Sequence, residues 1–291
     1  MSLLRENLKA IYSALPWKRQ LFSLVRRVCV PPPGIYRHLH FKGPFDVQVD
    51  GTAFQVYHHG WLIENEIFWK GIRAGWEGTS LSLWIELCKH ADVICDVGAN
   101  TGIYALTAQA VQPSARVYAF EPARRVFEML EQNCTLNHYR AACLNVAVSN
   151  KDGTAMLFDA PLPHELVATL QPDGPCAEEL TVREVVPTIR LDTFAATHGI
   201  SCIDLIKIDT EGHEFEVIAG LGEWLRMRPS MLIEIQSDAL GARIESLLPS
   251  GYLYFNIDER AGVRHVQHIL KSDTYNHLVC TPTAADRLGL H

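Results

Sequence analysis

No apolar run in this chain reaches the length needed to cross a bilayer, and neither an internal repeat nor a low-complexity tract interrupts it. A Lys/Arg-rich block is missing too. With 26 basic and 33 acidic residues the formal net charge is -7, so the electrostatic footprint of a nucleic-acid binder is absent. The eight cysteines, Cys29, Cys88, Cys95, Cys134, Cys143, Cys176, Cys202 and Cys280, form no CxxC pair, which excludes a zinc knuckle or thioredoxin-like motif. Several sit in apolar runs, as Cys95 does after Val93 and Ile94, and read as buried free thiols of a reducing cytoplasm. The first 30 residues carry Arg5, Glu6, Lys9, Lys18 and Arg19 and lack the continuous apolar core of a secretory signal. What remains, 48% hydrophobic and 20% charged residues, is the composition of a folded globular protein. One segment, Trp17 to Arg27, is locally basic and amphipathic. It reads first as a solvated helical face, with contact to a membrane surface or a partner as the alternative.

Residues 1–30 place Leu4, Leu8, Ile11, Leu15, Leu21, Leu24, Val25 and Val28 at helical spacing, and Pro31-Pro32-Pro33-Gly34 ends any helix there. Alternation through Phe45, Val47 and Val49, then Phe54 and Val56, with Asp50-Gly51 between, predicts a hairpin. A helix is predicted over Glu77–Lys89. Strands and helices then alternate: strand 93–97, helix 102–111, strand 116–120, helix 123–137 and strand 144–148. After a polar, proline-broken stretch at 150–190, with strands at 155–158 and 181–189, the rhythm resumes. Strand 205–209, helix 214–225, strand 231–235, helix 239–248 and strands 252–257 and 277–280 complete it. This alternation predicts a doubly wound α/β sheet with helices on both faces. Residues 1–75 form an N-terminal helical and β-hairpin extension or cap, and 76–291 the main domain, with 150–190 an insertion near its active edge.

The first of these strands ends in an acid and a glycine-rich turn, Asp96-Val97-Gly98-Ala99-Asn100-Thr101-Gly102. Such a turn lets a ligand approach the backbone closely, and in open α/β sheets ligands bind beyond the carboxyl ends of the strands. A dinucleotide site wants G-x-G-x-x-G, so that pyrophosphate meets the helix N-terminus. Here Asn100 stands in place of the middle glycine, which points away from pyrophosphate. S-adenosylmethionine (AdoMet) has no phosphate but does have an amino acid end and a ribose. Asp96 can accept from its ammonium group, directly or through water. The second strand ends in Phe120-Glu121-Pro122, and Glu121 follows Asp96 by 121 − 96 = 25 residues, one βα unit on. A carboxylate there can accept both ribose hydroxyls, although the helix dipole also favours a solvated acid at that place.

These residues, with Ala147-Val148-Ser149, Leu191-Asp192-Thr193-Phe194 and Ile206-Lys207-Ile208-Asp209-Thr210-Glu211-Gly212-His213-Glu214, resemble the FkbM-type methyltransferases. The resemblance runs from about Gly75 to Pro229. It implies a class I, Rossmann-like AdoMet-dependent fold and methyl transfer, usually to a hydroxyl oxygen. The acceptor would be a hydroxylated small molecule or a sugar, as in natural-product or polysaccharide biosynthesis. Within the 207–214 segment Asp209, Glu211 or His213 could be the general base, and Lys207 could lower an acceptor's pKa or orient a carboxylate. Asp209, Glu211 and Glu214, with Glu234 and Asp238 one strand on, could instead hold a divalent ion such as Mg²⁺, or serve only as helix caps.

Further donor contacts are expected from Ala99, Asn100, Gly102, Pro122 and Asp209, and from Glu77, which follows Trp76 and precedes the candidate cap Thr79. Asn145 and Ala147 are candidates for the adenine pocket, and Tyr104 for packing on the methionine chain or in the core. His164, Glu165 and Arg183 are candidate acceptor contacts in the insertion. His58 and His59 with Glu64 and Glu66 lack metal-ligand spacing. A nicotinamide-dependent oxidoreductase and a catalytically silent AdoMet-fold interaction subunit are the rival readings. A homo-oligomer is possible under the methyltransferase reading.

Overall fold

The structure is a computed structural model; it describes residues 16–160, 167–171, 182–272 and 275–290. A run of helices and a hairpin precedes the main sheet. Helix α1 (Lys18–Val28) and the single turn α2 (Pro33–Tyr36) lead into a hairpin of β1 (Gly43–Val49) and β2 (Thr52–His58). Both turn residues, Asp50 (φ 43°) and Gly51 (φ 82°), have the positive φ that a tight two-residue hairpin needs. Helix α3 (Leu62–Lys70), which no single apolar stripe announces, follows. Phe22 of α1 meets Trp69, and Phe41 and Phe45 meet Phe68, so the extension has an aromatic core. The hairpin is stitched to the body by side-chain amides of Asn133 and Asn137, which accept the N–H groups of Tyr57 (2.8 Å) and Gln55 (2.6 Å).

The chain then passes through α4 (Gly78–Cys88), β3 (Val93–Val97), α5 (Ile103–Val111), β4 (Arg116–Phe120) and α6 (Arg124–Leu136). The expected strand 144–148 is in fact two. Ala142–Leu144 (β5) extends the main sheet beside β4, whereas Ala147–Val148 (β6) pairs with another sheet. Asn145 causes the turn: its amide donates to the carbonyls of Glu121 (2.9 Å) and Pro122 (2.8 Å) and pulls the chain out of line. The insertion supplies β7 (Gly153–Ala160), β8 (Val167–Thr169) and β9 (Val182–Ile189), which form a four-stranded sheet in the order β6-β9-β7-β8.

Helix α7 (Leu191–Thr197), β10 (Leu205–Ile208), α8 (Glu214–Ala219), β11 (Ser230–Glu234), α9 (Asp238–Leu247), β12 (Leu253–Asp258), β13 (Gly262–Val266), β14 (Asn276–Cys280) and α10 (Pro282–Arg287) complete the fold. The helix predicted over 214–225 stops at Ala219 and resumes as a 3₁₀ segment, Gly222–Met227. Gly222 (φ 53°) takes a left-handed conformation, and Gly220 lies so close to the Ser149 carbonyl that a Cβ would sit 2.2 Å from its oxygen. The large sheet has the order β13-β12-β14-β11-β10-β3-β4-β5. β5, β4, β3, β10 and β11 are parallel, and β14 is antiparallel to both its neighbours.

The unbroken apolar runs of β3 and β10 follow from helices on both faces. Ile94, Leu205 and Leu232 pack with Leu81, Trp84 and Ala105 on one side, and Cys95, Ile206 and Ile233 pack with Phe194, Val217 and Ile218 on the other. The thiols are free among the described residues. Cys88, Cys95, Cys134 and Cys280 are buried as expected, but Cys29 is exposed and Cys143 and Cys202 are half-buried. Among the described residues no helix is long and apolar enough to cross a membrane.

Candidate active site

Where β3 and β10 end side by side, the two loops that follow them touch. Gly98 (φ 78°) lies against the Asp209 carbonyl, and a Cβ on it would stand 1.7 Å from that oxygen. Only glycine permits both this conformation and this approach. The contact brings the glycine turn and the 207–214 segment onto one cavity of about 380 Å³.

On the β3–β4 side the cavity is bounded by Asp96, Gly98, Ala99, Asn100, Tyr104, Glu121 and Pro122. Asp96 is buried and receives the Ala105 N–H at 2.9 Å, which anchors the start of α5. Glu121 accepts from the N–H groups of Asn100 (3.0 Å) and Ala123 (2.9 Å). Burial outweighs the other influences on both carboxyls and pushes each up to about 7. Glu77 stands beside them in a left-handed backbone conformation (φ 47°), its carboxylate accepting the Tyr104 hydroxyl proton at 2.6 Å. A non-glycine residue held this way stores strain, a pattern that clusters at functional sites. The hydroxyl of Thr79 does not cap α4; Glu259, from the β12–β13 turn, reaches across to the Thr79 N–H at 2.7 Å.

On the β10–β11 side stand Lys207, Asp209, Thr210, Glu211, His213 and Glu234. Lys207 is fully buried, with its ammonium 3.1 Å from Asp209 and 5.2 Å from the centre of the Tyr104 ring. Burial alone would lower its pKa, but the carboxylates of Asp209, Glu77 and Glu234 together raise it. Asp209, Glu211 and Glu234 bring carboxylate oxygens within 4.8 Å of one another, and Gln236 bridges the last two with bonds of 2.8 and 3.0 Å. Burial, then repulsion from Asp209, raises Glu211 to about 7 and Glu234 to about 10. His213 has both ring nitrogens engaged, Nε2 with the Ser149 hydroxyl (2.9 Å) and Nδ1 with the Gln171 amide (3.2 Å), and burial lowers its pKa.

Several residues singled out in the sequence fall elsewhere. Gly102 caps α5 from below the cavity wall, with Leu130 against it. Ala147 packs in a small apolar cluster with Ala123, Val126 and Leu157, and Asn145 supports the wall through backbone carbonyls without lining it. Asp238 is exposed at the start of α9, where it accepts the Lys271 N–H at 2.8 Å, and it is not among the converging carboxylates. Glu214 is a staple of its own loop, its Oε1 accepting from the Thr210 and Gly212 N–H groups and the Thr210 hydroxyl. Arg183 lies on the exposed face of β9 over the Phe158 ring, and His164 and Glu165 are outside the described residues. His58 is a buried packing residue bonded to Asn65 and to the Gly60 N–H. Trp76, beside Glu77, lines the cavity as well; conversely, Trp61, Leu62 and Ile63 of the N-terminal part, and Ala168, Thr169 and Leu170 of the insertion, line it with no local motif to announce them.

A doubly wound sheet with this strand order, closed by an acid and a glycine turn after its first strand and an acid after the next, is the architecture of the class I AdoMet-dependent methyltransferases. Residues 96–255, more than half of the chain, match the methyltransferase FkbM domain, and the chain belongs to that family. The chain is 32% identical over 192 residues to the 31-O-demethyl-FK506 methyltransferase FkbM of Streptomyces tacrolimicus, covering 56% of this chain and 74% of that protein. It is 25% identical over 173 residues to the hexuronic acid methyltransferase AglP of Haloferax volcanii (60% of this chain, 68% of that one). It is 32% identical over 148 residues to the 2-O-methyltransferase NoeI of Sinorhizobium fredii (47% and 60%). The protein is thus a methyltransferase, and AdoMet is the donor of its class.

Proposed function

We propose that the protein methylates a hydroxyl oxygen of a small or glycosylated metabolite, with Asp96, Gly98 and Glu121 holding the donor and the edge formed by Lys207, Asp209 and Glu211 receiving the acceptor. The observation that carries this reading is that one cavity joins both groups of residues. Its acidity suits the donor: the carboxyl groups of Glu77, Asp96, Glu121, Asp209 and Glu211 face it, against the ammonium of Lys207 alone among the described residues, and a cationic ligand favours their ionised forms. AdoMet carries positive charge on its ammonium and sulfonium, and when bound it supplies a methyl group activated by that sulfonium. Glu121 has lone pairs beyond its two backbone bonds to accept ribose hydroxyls, and Asp96 is placed to accept from the ammonium. The names of the FK506 and 2-O relatives support oxygen as the acceptor atom, and that of AglP supports a sugar acid.

Methyl transfer needs the acceptor oxygen in line with the sulfonium and its proton removed. Glu211 is our candidate base. It faces the cavity on a strained backbone (φ 54°), and Gln236 fixes one of its oxygens. His213 would first have to release Ser149 or Gln171, and Asp209 is committed to Lys207. Lys207 is a positioning residue for the acid pair. A second reading gives Asp209, Glu211 and Glu234 to a divalent ion, since their oxygens converge. Residues 1–75 act as a cap in this scheme and 150–190 as an acceptor wall, supported by the cavity-lining residues each contributes.

Incubating the enzyme and AdoMet with hydroxylated extracts, and reading products by mass spectrometry, tests the reading. A gain of one methylene unit on a hydroxylated compound, lost in Glu211→Gln, supports it; methylation at nitrogen or carbon alone overturns it. Repetition with EDTA separates the two readings of the acidic cluster.

A further inference from the structure

Helix α1 presents two apolar faces, and only one of them is used. Phe22 is buried against Phe41 and Trp69, and Arg26 donates to the Phe68 carbonyl at 2.6 Å; these contacts hold the helix on the extension. Trp17, Leu21, Leu24 and Val28 point elsewhere and are 75%, 56%, 59% and 88% exposed. At 3.6 residues per turn, these positions fall within an arc of roughly 60°. Val30 and Ile35 extend the exposed apolar surface beyond the helix end. On the helical wheel, Lys18 and Arg27 flank the stripe on opposite sides. The stretch from residue 17 to 45 carries Lys18, Arg19, Arg26, Arg27, Arg37 and Lys42 and not one carboxylate, in a chain whose net charge is -7.

We infer that this stripe docks the protein on an anionic lipid surface, with α1 lying in the plane of the interface. An exposed apolar patch marks an interaction site, and a strongly amphipathic helix with aromatic and aliphatic residues on one side and arginine or lysine at its flanks suits the headgroup boundary. Trp17 occupies one end of the stripe, the position where an indole lies well between headgroups and chains. The charge pattern selects lipid over a second copy of this chain. Two such stripes face to face would bring Arg19 and Arg27 of both copies together, in a stretch that carries no carboxylate of its own, whereas anionic headgroups supply the opposite charge. The inference is independent of the donor and acceptor assignments above.

Co-sedimentation of the full chain with phosphatidylcholine vesicles, with and without phosphatidylglycerol, tests it. The protein should pellet with the anionic vesicles at low salt and be released as salt rises. Leu21→Glu with Leu24→Glu should weaken partitioning at least tenfold. Lys18→Gln with Arg27→Gln, which leaves the stripe intact, should weaken it roughly fivefold per charge on anionic vesicles and little on neutral ones. Because all four side chains lie outside the cavity, both variants should keep the wild-type AdoMet affinity. Failure of the wild type to pellet, or equal binding by the Leu21/Leu24 variant, overturns the inference. So does light scattering that shows a dimer which the Leu21/Leu24 variant splits, without any vesicle binding, for the stripe would then be an interface between copies.

Discussion

Asp96 and Glu121 are buried carboxyls with backbone N–H groups on one side and the cavity on the other. In each, a ligand hydrogen bond would be made to a charged group in a low-dielectric site, where removing it costs about 1.5–3 kcal/mol. Glu121→Ala should therefore weaken AdoMet binding by about 10- to 100-fold in isothermal titration, while Asp238→Ala, outside the cavity, should leave it unchanged. Glu211→Gln should lower kcat by about 10²-fold or more with AdoMet affinity nearly intact, which single-turnover kinetics would separate. A His213→Gln variant that lost as much kcat as Glu211→Gln would shift the assignment of the base to the histidine.

At the scale of elements, the site depends on contacts between loops distant in sequence. Gly98→Ala places a methyl group against the Asp209 carbonyl and strains a positive φ. A melting temperature lowered by several degrees, together with loss of AdoMet binding, is expected. Glu259→Ala removes the carboxylate that holds the first turn of α4 and should cost about 0.5–2 kcal/mol in chemical denaturation, the range for losing a helix cap.

The same contacts explain which elements could be read from the sequence. The β3–α5–β4–α6 run was legible because buried parallel strands are continuous apolar runs and the glycine turn sits at their end. Helix α3 was not, because Glu64 and Asn65 are buried in the middle of it and blur its periodicity. Nor was β13, a polar strand at the sheet edge. The division of β5 from β6 depends on the Asn145 amide reaching carbonyls more than twenty residues away. In the site, motif residues on strand ends were legible; the wall formed by Trp61, Leu62 and Ile63 was not, since the packing of the hairpin on α5 and α6, distant in sequence, brings it there.

For the whole molecule, the concentration of acids around one cavity has a thermodynamic consequence. Burial raises Asp96 and Glu121 to about 7 and Glu64, within α3, to about 8. The folded state therefore holds these protons more tightly than the unfolded chain. The stability they contribute is complete at low pH and is lost as pH rises through the folded values. Burial lowers His58 to about 3, which acts in the opposite sense but only below its ordinary 6.5. Between pH 6.5 and 8 the unliganded protein should melt at steadily lower temperature in differential scanning calorimetry. Saturating AdoMet should flatten that decline, because a cationic ligand favours the ionised carboxyls. A melting temperature that rises across this window would show that these groups are not buried as described.

The central claim is that one cavity, closed by the Gly98–Asp209 contact, binds AdoMet through Asp96 and Glu121. Isothermal titration of AdoMet into the wild type and into Asp96→Ala and Glu121→Ala tests it most directly. The account predicts a single site in the wild type, weakened at least tenfold in both variants while their folds stay intact by circular dichroism; wild-type affinity in both variants, or no binding to the wild type, would contradict it.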